Sequence, residues 1–199
     1  MKQSESATAG RTISAHHHLN GLVLAGGRST RMGKDKSLLV YHDMPQREYL
    51  FNLLSPYCNQ VFTSCNNLQE VPPPLNPLPD RFEIPGPFNG ILSAFAFDQH
   101  CSWLIVAIDM PFVNEATLEL LLSNRDKAKM ATCFYNPATK QPEPLLTIWE
   151  DHAYRALLEF VEKGHISPRE FLTIHSVKMI DPPDDKALSN FNTPEDIIH

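Results

Sequence analysis

Short continuous apolar runs alternate along the chain with stretches in which apolar residues return every third or fourth position. Gly21 to Leu24 reads as a first buried strand, and Val61 to Ser64 as a second. Between them, Ser37 to Tyr41 is a short apolar return, and Pro45 suits the first turn of a helix whose stripe of Tyr49, Leu50, Leu53 and Leu54 ends at Pro56. Trp103 to Ile108 is continuous and rich in β-branched residues, the pattern of a central strand buried on both faces. A helical repeat of Leu118, Leu121 and Leu122 follows Asn114, a residue suited to cap it. Residues 128–134 and 145–149 read as two more strands, open to antiparallel pairing across the polar turn from Asn136 to Gln141. Helices are expected over 151–163 and after Ser167, where Ser167-Pro168-Arg169-Glu170 has the form of a capping box, and Val177 to Ile180 suits a last short strand. Strands alternating with helices predict an α/β protein of three layers, αβα, around a mainly parallel central sheet.

Two stretches interrupt this rhythm. Residues 71–87 contain seven prolines, a density that excludes regular structure and predicts a stiff surface excursion. It leads into Gly86-Pro87-Phe88-Asn89-Gly90, a turn opening a helix that continues through Leu92, Ala94 and Phe95. Gly90 is compatible with close packing, with close approach of a nucleotide, or with a turn.

The other interruption follows the first strand, where Leu24-Ala25-Gly26-Gly27-Arg28-Ser29-Thr30-Arg31-Met32-Gly33-Lys34-Asp35-Lys36 is both glycine-rich and basic. Arg28, Arg31, Lys34 and Lys36 stand against Asp35 alone, in a chain whose formal net charge is −6. Glycines let a backbone turn tightly and aim its amides at phosphate oxygens. A basic turn behind an apolar strand lies at the sheet edge where α/β ligands bind. The spacing from Gly27 to Gly33-Lys34 is one residue longer than in a P-loop, Asp35 replaces the expected Ser or Thr, and no dinucleotide-type G-x-G-x-x-G is present. Asp109, closing the Trp103–Ile108 run, is placed either to cap the next helix or to bind magnesium, which takes one or two carboxylates with phosphate oxygens and water. Asn114 can do the capping, which favours the metal.

From Leu24 to Lys36 the chain resembles, at every fixed position, the L-A-G-G-x-S-x-R-M-G-x-D-K signature of the molybdenum cofactor guanylyltransferases. Looser relatives of this loop occur in the cytidylyltransferases of the same cofactor and in sugar-phosphate and isoprenoid nucleotidyltransferases. Asp80 before the Gly86–Gly90 turn, Asp109-Met110-Pro111-Phe112, and Asn192-Thr193-Pro194-Glu195-Asp196 extend the resemblance almost to the carboxyl end. It implies a Rossmann-like nucleotidyltransferase fold, GTP and molybdopterin as substrates, and molybdopterin guanine dinucleotide and pyrophosphate as products. It further implies Mg²⁺ as cofactor, held by Asp109, and catalytic roles for Arg31 and Lys36. The implied nucleotide contacts are Leu24, Ala25, Gly26, Gly27, Ser29, Lys36, Asn66, Asp80 and Asp109. Molybdoenzymes or cofactor-delivery proteins would receive the product.

The chain departs from the family pattern at His42-Asp43-Met44-Pro45-Gln46-Arg47-Glu48-Tyr49, which replaces a glycine-containing segment, and at Gln141-Pro142-Glu143-Pro144 on the acceptor side. Two alternatives follow: nucleotidyl transfer to another acceptor, whether cytidylyl transfer to molybdopterin or transfer to a sugar phosphate, and a noncatalytic GTP- or cofactor-binding accessory role on the same fold.

With 199 residues and 42% hydrophobic content, the chain can bury a core as one domain over residues 20–199, behind a polar lead of residues 1–19 expected to be disordered. The lead lacks a secretory apolar region, and no run is long enough to span a bilayer, so a cytoplasmic protein without membrane association is expected. The net negative charge argues against nucleic-acid binding. Cys58, Cys65, Cys101 and Cys133 lack metal or redox spacing and are expected to be reduced. His16-His17-His18 reads as solvated.

Overall fold

A computed structural model describes residues 18–25, 38–40, 42–66, 70–184 and 186–190. The expectations for the N-terminal lead, for Gly26 to Lys36, for Asn67 and for the closing Asn192-Thr193-Pro194-Glu195-Asp196 lie outside these residues. The strands are β1 (Leu19–Leu24), β2 (Val61–Cys65), β3 (Pro77–Pro79), β4 (Ser102–Ala107), β5 (Ala131–Asn136), β6 (Gln141–Trp149) and β7 (Lys178–Ile180). The helices are α1 (Gln46–Leu54), α2 (Phe88–Phe97), α3 (Glu115–Ser123), α4 (Ala153–Glu162) and α5 (Pro168–Ile174).

The strands form one sheet in the order β3-β2-β1-β4-β6-β5-β7. Pairings β1 with β2, β1 with β4, β2 with β3 and β5 with β7 are parallel, and only β6 runs against its neighbours β4 and β5. β4 lies at the centre with all of its residues buried, as its continuous apolar sequence requires. Its side chains alternate between two cores. Trp103, Ile105 and Ala107 join Leu22, Leu24 and the apolar faces of α2, α4 and α5. Leu104, Val106 and Ile108 join Val23, Val61, Leu50 and Leu54 of α1, and Leu118 and Leu121 of α3. A helical layer on each face of the sheet makes the three layers.

Local chemistry explains several boundaries. Asn114 caps α3 by accepting a hydrogen bond from Thr117 N at 3.0 Å, and Ser167 caps α5 by accepting from Glu170 N at 3.2 Å, with Pro168 opening the helix. Pro45 precedes α1 as its N-cap residue instead of standing within its first turn. At the edge of the sheet opposite the ends of β1 and β4, Arg125 forms a two-pronged ion pair with Glu150, at 2.7 and 2.6 Å, and Ser102 Oγ donates to the same carboxylate at 2.8 Å. All four cysteines are free thiols.

The proline-rich stretch is a correction. It is not devoid of regular structure: Pro73–Leu75 forms a single 3₁₀ turn and Pro77-Leu78-Pro79 an edge strand parallel to β2. Proline lacks a donor, but the two prolines alternate, so the N–H groups they lack belong to the outer edge. The backbone groups facing β2 remain usable, with Asn76 O accepting from Thr63 N at 3.1 Å and Asp80 N donating to Cys65 O at 2.9 Å.

Candidate active site

The chain winds from β1 through α1 to β2 and β3 in one direction, then crosses by α2 to β4 on the other side of β1. The chain leaves β1 towards β2 on one side and leaves β4 through α3 towards β5 on the other, so β1 and β4 flank a topological switch point, where open α/β sheets form their ligand crevice beyond the carboxyl ends of the strands. Leu24 pairs with Ala107 in register, and Ile108 N donates to Leu24 O at 3.3 Å. Leu24 and Ala25 therefore border one side of the crevice, and Ile108 and Asp109 the other. The glycine-rich basic segment continues directly from Ala25.

Asp109 follows β4 in a turn, two residues past the strand, with its Oδ1 buried. The helix that follows, α3, is capped by Asn114. Asn66 follows the end of β2, and Asp80 follows β3, whose backbone it prolongs by its bond to Cys65 O. The carboxyl ends of β1, β2, β3 and β4 share one sheet edge, so Leu24, Ala25, Asn66, Asp80 and Asp109 are brought to that edge together. Burial pushes the Asp80 carboxyl up to about 6. Gly26, Gly27, Ser29, Arg31 and Lys36 lie outside the described residues.

Two further residues, Ser64 and Gly90, complete this edge. Ser64, fully buried at the end of β2, accepts a hydrogen bond on its Oγ from Ala25 N at 3.2 Å and so fixes the point at which the chain leaves β1. Gly90, in the first turn of α2, settles as a packing glycine: a β-carbon there would lie 2.6 Å from Leu24 Cδ2 and 3.4 Å from Ser64 Cβ. The absence of a side chain lets α2 seat directly on the ends of β1 and β2. A polar residue closing an apolar strand is the one sequence signal that could have marked Ser64.

The segment His42 to Tyr49 is bound to the loop after β4. His42 Nε2 lies 2.8 Å from Pro111 O, Tyr49 Oη donates to Val113 O at 3.1 Å, and Gln46 Nε2 donates to Met110 O at 3.4 Å. The His42 ring also stacks on Tyr49 with centroids 3.8 Å apart. Across the sheet, the hairpin between β5 and β6 reaches the same edge. There Glu143 is completely buried: Oε2 accepts from Asn136 Nδ2 at 3.0 Å and lies 3.7 Å from Arg169, while Oε1 accepts from Leu145 N at 3.1 Å. Glu143 thus braces the hairpin from within. No cluster of three or more His, Cys, Asp or Glu side chains capable of holding a metal occurs among the described residues. No helix among them is long and apolar enough to cross a membrane.

Comparison with known proteins agrees with this arrangement. Residues 21–178 match the MobA-like NTP transferase domain. A molybdenum cofactor biosynthesis bifunctional protein of Synechocystis sp. is 35% identical over 95% of this chain, which spans 55% of that longer relative. A molybdenum cofactor guanylyltransferase of Pseudomonas paraeruginosa is 32% identical over 87% of this chain and 90% of its own. In fold, the crystal structure of molybdopterin-guanine dinucleotide biosynthesis protein A from Archaeoglobus fulgidus superposes with a TM-score of 0.71 at 24% identity, over 90% of this chain and 95% of its own. A seven-stranded, mostly parallel sheet with its crevice between β1 and β4, matched over residues 21–178 by one domain family, places this chain in the MobA-like NTP transferase family.

Proposed function

We propose that this protein is a magnesium-dependent molybdenum cofactor guanylyltransferase, transferring GMP from GTP to the terminal phosphate of molybdopterin. An oxygen of the acceptor phosphate attacks the α-phosphorus in line. The bond from that phosphorus to the oxygen bridging to the β-phosphate breaks, and pyrophosphate leaves with the electron pair. Little covalent work falls to the protein in such a reaction, which depends on alignment and on neutralising charge.

The observation that carries the reading is the pairing of β1 with β4. It sets Leu24 and Ala25, where the Leu24–Lys36 signature starts, beside Ile108 and Asp109 at one sheet edge, which supports a shared site. Leu24 to Gly27 would receive the base and sugar, with Ser29, Asn66 and Asp80 as further nucleotide contacts. Arg31 and Lys36 would neutralise the triphosphate and the leaving pyrophosphate. Asp109, two residues past β4 at this sheet edge, would hold the magnesium ion, since a cation bound mainly by nucleotide phosphates and water takes only one or two carboxylates from the protein. When bound, such an ion draws charge from the phosphates and holds them in line. The cation-rich signature favours catalysis over a purely accessory role.

The test is product identification. Purified protein with GTP, Mg²⁺ and molybdopterin should yield a dinucleotide of the mass of molybdopterin plus GMP, with equimolar pyrophosphate, and omission of any one component should abolish it. Pyrophosphate release without a dinucleotide, or transfer only to a different phosphorylated acceptor, would contradict the reading.

A further inference from the structure

The side of α1 that faces the sheet is made by Gln46, Arg47, Leu50 and Leu54. Leu50 and Leu54 are ordinary core residues, but the two positions before them are polar and equally enclosed: Gln46 is 0% exposed and Arg47 6%. Both are incompletely satisfied. Gln46 Oε1 and Arg47 Nε are buried without a hydrogen-bond partner among the described residues. Arg47 forms no ion pair among the described residues, and its one hydrogen bond runs from Nη1 to Glu70 O at 3.0 Å. A buried guanidinium with a single carbonyl partner is expensive, and an apolar side chain of similar volume would serve the core at least as well. Stability therefore does not account for Arg47.

Its position suggests what does. Glu70 lies four residues beyond Asn66, which directly follows β2, and Met110, the partner of Gln46, directly follows Asp109. Two adjacent side chains of one helical turn thus hold the two loops that carry candidate nucleotide and metal residues. The helix that bears them is the one the glycine-rich basic segment leads into. His42 and Tyr49 give the loop after β4 two further attachments, and Arg47 ties α1 to Glu70.

We propose that Arg47, with Gln46 beside it, is a positioning residue for the nucleotide, fixing the loop after β2 to the start of α1 so that Asn66 is held in place before the nucleotide binds. The inference rests on the nucleotidyltransferase reading for its kinetic consequence but not for its structural one. A charge-assisted hydrogen bond to a main-chain carbonyl replaces ordering that the nucleotide would otherwise have to supply, so its loss weakens binding without touching the reacting atoms.

The experiment compares wild type, Arg47→Met, Arg47→Lys and Gln46→Met. In protein without nucleotide, amide hydrogen exchange should quicken in the peptide containing Glu70 in Arg47→Met and stay unchanged in the peptide spanning 110–113. Gln46→Met should show only a small effect, confined to 110–113. With GTP and acceptor, Arg47→Met should raise the nucleotide KM roughly tenfold, the size of one lost hydrogen bond from a charged donor, with kcat near wild type. Arg47→Lys, which keeps a charged donor, should recover most of that loss. Unchanged exchange at Glu70 in Arg47→Met, or a fall in kcat as large as the rise in KM, would overturn the proposal. If Arg47→Met does not fold, Arg47→Gln takes its place: quicker exchange at Glu70 with a raised nucleotide KM is expected, and both unchanged would overturn the proposal. Should the wild type transfer no guanylyl group, the functional reading fails, and the exchange measurement still decides whether the clasp exists.

Discussion

Gly90→Ala is the substitution whose effect can be worked most closely from the structure. The new β-carbon would lie 2.6 Å from Leu24 Cδ2, about 1 Å inside the optimum separation of two carbons. It would also meet Ser64 Cβ and Oγ at 3.4 Å, an ordinary contact, so the strain falls on Leu24. Leu24 is 5% exposed and packed in the core shared by α2 and β4, so its side chain can escape only by leaving its rotamer or by lifting the start of α2. Overpacking of this kind costs about 1–3 kcal/mol. At 2–4 °C per kcal/mol for a chain of this size, Tm should fall by about 2–12 °C. Because Leu24 borders the crevice, nucleotide affinity should fall as well. The assay is a double-mutant cycle with Leu24→Ala, read by thermal unfolding and by nucleotide binding. Removing Cδ2 removes the collision, so the double mutant should be more stable than the sum of the single effects by about 0.5–3 kcal/mol. An unchanged Tm in Gly90→Ala, or strict additivity with Leu24→Ala, would refute the packing argument.

Other outcomes follow from the functional reading and from the surroundings of Asp80 and Asp109. Lys36→Ala should lower kcat by an amount corresponding to roughly 3 kcal/mol while leaving thermal unfolding almost unchanged, and near wild-type turnover at saturating GTP would remove Lys36 from the mechanism. Asp109→Asn keeps the shape and removes the charge, so activity should fall and the magnesium titration should move to higher concentration; superimposable titrations would mean that the metal is held elsewhere. The Asp80 carboxyl, raised by burial to about 6, binds more protons in the folded than in the unfolded chain between its ordinary range and that value, so it contributes stability at low pH that is lost as pH rises through about 6. Asp80→Asn should remove that component, and identical Tm profiles from pH 4 to 8 in the two proteins would show that burial does not perturb Asp80.

Much of this was legible in the sequence because local and long-range demands agree there. The continuous run of β4, the caps at Asn114 and Ser167, and the turn at Gly86 each state their structure in a few residues. The placing of Leu24, Ala25 and Asp109 at one sheet edge was legible for the same reason, since they lie at or just past the ends of strands whose apolar runs are unmistakable. Pro77–Pro79 was not, because proline reads as a breaker until one knows which edge its missing donor faces. Gln46 and Arg47 were hidden by the assumption that polar residues beside an apolar stripe face water. Glu143 and Arg169 are 26 residues apart in sequence, and nothing local to either announces that they meet beneath the hairpin.

Base choice tests guanylyl transfer most directly. The signature here has Gly26 where the resembling cytidylyl enzymes have alanine, and a β-carbon close to the base would crowd a purine more than a pyrimidine. The measurement is kcat/KM for GTP and for CTP with molybdopterin as acceptor, in the wild type and in Gly26→Ala. The wild type should prefer GTP, and the substitution should narrow or reverse the ratio by about 1–3 kcal/mol, chiefly through loss of GTP. A wild type that prefers CTP would contradict guanylyl transfer, and a GTP:CTP ratio unchanged by Gly26→Ala would place base selection outside the glycine-rich segment.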